Sequence, residues 1–281
     1  MSRPDFLIIG AMKSGTSTLA AQLSEQAGIF MTTPKEPNFF SDDDVHAQGL
    51  QWYAALFDDA ASGDLRGEAS THYTKLPTYP RTIARAQAVL EAPRLVYMIR
   101  NPVERAVSHF IHEWSQGVMS DDMTAEFARN PEIVDYGRYA MQIRPWIEAY
   151  GAEAVHLTSL EAMQADPRGV LSEVAGFIGH TGPVTWVEAR ARENSSADRV
   201  RRFPLHELLI DSPPAVWLRR TFVPKSLRNR IRETRKMRDR PELPDTLRAA
   251  LEVTFTEDYA ALRTLFPDHP RLAASYPFAP G

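Results

Sequence analysis

Lys13, Gly15 and the hydroxyls of Ser14, Thr16, Ser17 and Thr18 follow directly on an apolar run, Phe6-Leu-Ile-Ile-Gly10. The order predicts a strand, a short loop and a helix. Glycine in such a loop lets a phosphate approach the backbone closely. Free amides at a helix N-terminus, together with the helix dipole, then favour an anion there. The predicted chemistry is phosphate binding. The loop is not the one that holds ATP, because a Walker A loop places its lysine directly after the second glycine and follows it with Ser or Thr. Here Thr16 follows Gly15, and the lysine comes early, at Lys13.

Three further segments carry reactive side chains. In Pro34-Lys-Glu-Pro-Asn-Phe-Phe40, Glu36 sits beside Pro37 with a second proline at Pro34. It can take up a proton or cap a turn. Gly67-Glu-Ala-Ser-Thr-His-Tyr73 carries Glu68 and His72. The ordinary imidazole titrates near neutrality, which makes His72 an alternative base. Arg100-Asn-Pro-Val-Glu-Arg-Ala-Val-Ser108 ends a run of apolar residues. Arginine offers a planar fork of donors that suits phosphate oxygens. Ser108 falls about two helical turns further on. Arg105, Ser108 and His112 are read onto a polar helix face. His109 and His112 lack a further ligand, so no metal site is predicted.

These residues need elements to position them. Arg94-Leu-Val-Tyr-Met-Ile-Arg100 reads as a strand buried on both faces. Asn101 as N-cap and Pro102 as first helical residue open a helix with the stripe Val103, Ala106, Val107, Phe110, Ile111 and Trp114. A second helix is predicted over 137–150, a strand over 154–158, and a helix starting at Asp166-Pro167. Pro244-Asp245 opens a long amphipathic helix with Leu247, Leu251, Phe255, Tyr259, Leu262 and Phe266 on one side. Strands alternating with helices predict an α/β fold of P-loop-like, three-layer type, with a central parallel sheet, flanking helices and a helical C-terminal part. Ligands bind at the carboxyl ends of such strands. Gly10 and Arg100 both lie at such ends, so they share an edge if their strands are neighbours.

The 281 residues are read as one domain, 1–281, with a basic and mostly helical segment over 214–240. That segment crowds Arg219, Arg220, Lys225, Arg228, Arg230, Arg232, Arg235, Lys236, Arg238 and Arg240, either as a solvated face or as a cover for an anion. Net charge is −4, which argues against a nucleic-acid partner. There is no cysteine, which excludes disulfides, thiolate metal sites and a Cys nucleophile. No apolar run is long enough to span a bilayer and no signal-peptide pattern opens the chain, so the expected location is cytoplasmic.

Taken together, the early Lys13, the Glu36…Phe39-Phe40 segment and Arg100-x-Pro-x-x-Arg-x-x-Ser108 resemble the sulfotransferases that use 3′-phosphoadenosine 5′-phosphosulfate (PAPS). The likeness is greatest to the heparan-sulfate N- and O-sulfotransferase branch and its bacterial relatives, and it runs from about Phe6 to Pro267. The resemblance implies that Lys13, Ser14, Gly15, Thr16, Ser17 and Thr18 grip the 5′-phosphosulfate. Arg100 and Ser108 would hold the 3′-phosphate, Glu36 would be the catalytic base, and Lys13 would face the leaving oxygen. It implies in-line transfer of a sulfuryl group to a hydroxyl or amine of a glycan, lipid or small metabolite, without a metal, leaving adenosine 3′,5′-bisphosphate. Glu68 is then a candidate acceptor-binding residue. One position departs from the pattern. Relatives carry lysine after this glutamate, whereas here Glu68 is followed by Ala69. Lys75 is the nearest substitute, though its spacing from Glu68 does not match.

Two other classes share some of these features. A P-loop kinase has the same strand–loop–helix entrance, but the displaced lysine and the lack of an acid ending a second strand argue against it. A non-catalytic nucleotide- or glycan-binding module would have no use for Glu36 beside a complete phosphate loop.

Overall fold

The computed structural model describes residues 2–192, 240–267 and 269–280. Its centre is a five-stranded, wholly parallel sheet of β1 (Phe6–Gly10), β2 (Ile29–Met31), β3 (Leu65–Ala69), β4 (Arg94–Ile99) and β5 (Val155–Ser159). The order across the sheet is β2-β3-β1-β4-β5. All five residues of β1 are buried, which is why its sequence is a continuous apolar run rather than an alternation.

Helices cover both faces. α1 (Thr16–Leu23), α2 (Pro102–Ser115), α3 (Tyr139–Tyr150), α4 (Pro167–Ile178) and α5 (Asp245–Leu265) are the long ones. Phe6, Ile8, Val96 and Met98 pack with Leu19 and Leu23 of α1 and Val170, Leu171, Val174 and Ile178 of α4. Leu7, Ile9, Leu95 and Tyr97 face the other way, against Val103 and Phe110 of α2, Ile143 and Trp146 of α3, and Phe255 and Leu262 of α5. The sheet is thus the middle of three layers, the arrangement the strand–helix alternation predicts. Each fully buried side chain of this size contributes about 1.5–3 kcal/mol.

β1 and β4 are neighbours, with Phe6 opposite Arg94 and Ile8 opposite Val96. The segments after Gly10 and after Ile99 therefore leave the sheet side by side. The sequence reading misses β2 and β3. β2 has only three residues, and β3 reads Leu-Arg-Gly-Glu-Ala, a poor strand by composition. Its Gly67 is required by packing, since a Cβ there would sit 2.1 Å from the Phe6 ring.

Asn101 caps α2 as expected, its side-chain oxygen accepting from the Val103 and Glu104 amides at 3.0 and 3.2 Å. Asp166 does the same for α4. α3 is capped from a distance. Asp258 of α5 accepts from the Ala140 and Met141 amides at 2.9 and 3.3 Å, which docks the C-terminal helix on the domain. Arg105 corrects the polar-face assignment on α2. It is fully buried, and its guanidinium donates to the Ile133 carbonyl. Of the basic segment over 214–240, only Arg240 is among the described residues.

Candidate active site

A cavity of about 890 Å³ opens at the carboxyl edge of the sheet. Lys13, Gly15, Thr16, Ser17, Thr18, Glu36, His72, Arg100 and Ser108 all line it. Residues scattered over a third of the chain thus meet in one place.

One wall is the loop after β1 with the start of α1. Lys13 and Gly15 both have left-handed backbone, at φ 68° and 91°. A Cβ at position 15 would also lie 2.9 Å from a Leu160 methyl, so that side chain would have to shift to admit one. No side chain caps α1, and its first turn holds no acid, so the amides at its start point at the cavity with their positive potential intact. Ser14 departs from the expectation. Its side chain is fully buried beside the Tyr139 phenol and does not line the cavity, so position 14 can contribute only backbone. Arg100 enters from the end of β4. The Tyr139 hydroxyl holds its backbone from both sides, donating to the carbonyl at 2.9 Å and accepting from the amide at 3.3 Å. Glu104 pairs with the Arg100 guanidinium at 3.6 Å.

The facing wall carries Glu36, Thr71, His72 and Lys75. Glu36 has left-handed backbone, at φ 60°, and its amide donates to the Ala69 carbonyl at 3.0 Å. The loop is therefore sewn to the end of β3. Lys35 Nζ lies 2.7 Å from the Glu36 carboxylate, and the Thr71 hydroxyl donates to its other oxygen at 3.4 Å. Burial alone would raise this carboxyl, but the Lys35 ammonium, with Lys75 and His72 further off, brings it below the usual carboxylate value. It is ionised at neutral pH. His72 behaves differently from its ordinary titration. Burial and the Lys75 charge push it down to about 4, and its ring stacks on Tyr79 at 4.7 Å. It is a neutral imidazole near pH 7.

Glu68 lies beneath this wall rather than in it. It is fully buried and accepts from Tyr73 at 2.6 Å, Tyr53 at 3.0 Å and Ser70 at 3.5 Å. An acceptor entering the cavity does not reach it, which corrects the reading of Glu68 as an acceptor-binding group. Ser70 in turn accepts from the Asn38 amide at 3.1 Å, so the buried carboxyl braces the loop that bears Glu36. Burial pushes Glu68 up to about 7, against the pull of its three hydroxyl donors.

Sequence reasoning also misses Thr71, His112, Glu113, Gln164 and Trp186 as cavity residues. Trp186 is placed by two glutamines, Gln22 near the end of α1 and Gln26 in the turn that follows it. Gln22 clasps Val187 through both its amide and its carbonyl at 2.8–2.9 Å, and Gln26 clasps Thr185 in the same way. Gln22 and Gln26, two glutamines four residues apart among the apolar residues at the end of α1 and the turn after it, are the signal that could have marked this contact. Among the described residues, no group of three or more His, Asp or Glu stands close enough to hold a metal ion. No helix among them is long and apolar enough to cross a membrane.

Residues 3–209 match the family described as "Sulfotransferase domain". The bifunctional heparan sulfate N-deacetylase/N-sulfotransferase 1 of Caenorhabditis elegans is 23% identical over 278 residues, covering 93% of this chain and 29% of that protein. The heparan sulfate glucosamine 3-O-sulfotransferase 3B1 of Mus musculus is 28% identical over 185 residues, covering 63% of this chain and 46% of that protein. The chain thus spans less than half the length of these curated relatives. Among solved structures, a sulfotransferase from Alicyclobacillus acidocaldarius superposes with a TM-score of 0.68 at 23% identity, covering 94% of this chain and 96% of that one. That likeness is one of fold.

Proposed function

The chain belongs to the sulfotransferase domain family, and from that premise we propose that it moves a sulfuryl group from PAPS to a hydroxyl or amine of an acceptor. The observation that carries the reading is the single cavity that joins an uncapped helix start, Lys13, Arg100 and Ser108 on one wall to Glu36 on the other. The whole of 1–281 is read as one sulfotransferase domain.

The residues fit a doubly phosphorylated nucleotide. The amides at the start of α1 and the hydroxyls of Thr16, Ser17 and Thr18 take the 5′ end. Arg100 and Ser108 take the 3′-phosphate. Trp186 offers a ring on the same cavity, where a base is held by stacking. The donor supplies the sulfuryl group: a bond forms from the acceptor oxygen or nitrogen to sulfur as the bond from sulfur to the 5′-phosphate oxygen breaks, and the electron pair leaves with that oxygen. Glu36 receives the acceptor's proton. It is ionised beforehand, and its backbone is fixed by the Ala69 carbonyl. Lys13 faces the oxygen that gathers charge. Positioning and electrostatics dominate such a transfer. His72, an unprotonated imidazole at pH 7, lines the same cavity as a hydrogen-bonding neighbour of the acceptor and remains the alternative group to receive its proton.

The test is transfer of labelled sulfate from PAPS to a panel of sugars, lipids, phenols and amines, with the Glu36→Gln protein as control. Adenosine 3′,5′-bisphosphate should also stabilise the fold, by about 2.7 kcal/mol at ~100-fold excess over its Kd. Stabilisation by magnesium-ATP alone, with no transfer to any acceptor, would overturn the reading.

A further inference from the structure

Lys75 is six residues beyond the position where relatives carry a lysine, yet it lines the same cavity as Glu36 and Lys13. The chain geometry explains how. β3 ends at Ala69, and after Ser70 the backbone coils into the 3₁₀ helix Thr71–Thr74. A 3₁₀ helix rises only about 2 Å per residue and superposes side chains three apart. Lys75 is the residue that ends this turn, one beyond the helix, and it lines the cavity together with His72. The side chain of Ala69 points elsewhere, into the apolar layer with Ile8 and Leu19, where a lysine would have no solvent.

The segment that carries Lys75 is held on every side. Thr74 donates to the Ile9 carbonyl at 2.9 Å, and Trp146 donates to the Tyr73 carbonyl at 3.1 Å. Gln142 clasps Leu76 through its amide and carbonyl at 2.7 and 2.8 Å. The ammonium itself lies 5.6 Å from the centre of the Tyr136 ring. This is a preorganised cation, not a surface lysine that happens to be near.

The geometry points to Lys75 as the second catalytic cation of this site, contacting the sulfuryl oxygens between the donor held by Lys13 and the base Glu36. The inference rests on the proposed sulfuryl transfer. It assigns Lys75 a charge to supply and no bond to make: the ammonium keeps its protons while negative charge shifts past it.

The surroundings bear this out in sign. Glu36 from its loop and Glu113 from α2 face Lys75 as anions, while Arg105 of α2 faces it as a cation. His72 from the 3₁₀ helix and His109 from α2 are held neutral by burial, at about 4 and about 2. His112 of α2 and Lys13 of the phosphate loop line the same cavity, and Tyr136 packs against the ammonium. Burial pulls Lys75 down to about 8 against the two glutamates. Near that pH a donor bearing several negative charges draws a proton onto it.

The decisive measurement is PAPS binding to the full chain by calorimetry at pH 8, without acceptor, in two buffers of different ionisation enthalpy. Wild type should take up about half a proton on binding, and Lys75→Arg, whose guanidinium stays charged, should take up none from this position. With acceptor, Lys75→Ala should lose roughly 10²–10³ in kcat, while its affinity for adenosine 3′,5′-bisphosphate, which lacks the sulfuryl group, stays within about threefold. Lys75→Arg should regain part of that rate and lack the alkaline limb near pH 8. If wild type binds no PAPS, the sulfotransferase reading falls and this inference with it. If PAPS binds with the same proton uptake in both proteins, or if Lys75→Ala keeps the wild-type kcat, Lys75 is not a catalytic cation.

Discussion

The two walls of the cavity are built by different means. The loop wall is local. A buried strand, a glycine turn and an uncapped helix start place Lys13 and its neighbours within a few residues of one another. Arg100 and Ser108 are likewise placed locally, by the adjacent strand β4 and helix α2, although α2 starts on the Asn101 side-chain cap rather than on a glycine turn. The Glu36 wall is not local. Its two pieces, residues 34–38 and 70–76, lie largely outside regular strands and α-helices and are fixed by partners far along the chain: Ala69 and Ser70 for the first, Ile9, Gln142 and Trp146 for the second. On the proposed reading, the wall made by secondary structure chiefly binds, with Lys13 also facing the leaving oxygen, and the wall made by tertiary contacts chiefly serves turnover. Substitutions in the two walls should then separate affinity from rate.

The sharpest separation is expected from Glu36→Gln. Turnover should fall roughly 10²–10⁴-fold, while affinity for adenosine 3′,5′-bisphosphate stays within about threefold. Because Lys35 and Lys75 hold the Glu36 carboxyl below the ordinary value, the acid limb of the wild-type rate should also lie below the usual carboxylate range. A parallel loss of nucleotide affinity would break the division between the walls.

Glu68 tests the same wall from beneath. Its carboxyl stands at about 7 when folded, against 4.5 as its ordinary value. Between those values the folded chain binds more protons than the unfolded one. Glu68 therefore lowers stability as pH rises from about 4.5 to about 7, and its contribution is flat above that. The total is roughly 3 kcal/mol. Glu68→Gln should abolish the decline, so urea unfolding at pH 5 and pH 8 should give nearly equal stabilities for this site's contribution. An unchanged decline in the variant would place its source elsewhere.

The same contrast governs what the sequence makes legible. The loop after β1, Arg100, Ser108 and the Asn101 cap are readable because each is fixed by residues within one or two turns. The neighbouring of β1 and β4 decides whether they meet, and it follows once the parallel sheet is assembled. β2 and β3 are too short or too polar to announce themselves. Without β3 the 3₁₀ helix cannot be placed, so Lys75 looks misaligned and Glu68 looks available. Arg105 shows the limit of helical periodicity. It sits at a polar spacing, yet α2 is covered on that side by the segment around Ile133. His72 shows the limit of residue type, since burial moves an ordinary imidazole out of the neutral range.

On the loop wall, Arg100→Ala should cost about 2 kcal/mol of affinity for the 3′-phosphorylated nucleotide, roughly thirtyfold. The 3′-dephosphorylated analogue should lose far less, because the guanidinium is assigned to that phosphate. Turnover at saturating donor should hardly change. Equal losses for both nucleotides would remove Arg100 from the 3′ end.

Trp186 gives the smallest effect and the cleanest complement to Arg100. Its ring is half-buried on the apolar layer below α1, and the Gln22 and Gln26 clasps hold the backbone on either side of it. Truncation to alanine leaves those clasps intact, so the loss reports the ring alone. Stacking of a base on an aromatic ring is worth about 1–3 kcal/mol, and a half-buried ring belongs at the low end, about tenfold in Kd at most. A stacked adenine is shared by both nucleotides. Trp186→Ala should therefore weaken the 3′-phosphorylated and the dephosphorylated forms by the same factor, where Arg100→Ala divides them. Titration of both nucleotides into both variants sets the two patterns side by side. If Trp186→Ala instead discriminated between them, the ring would lie at the 3′-phosphate, and the order of groups along the loop wall would have to be reversed.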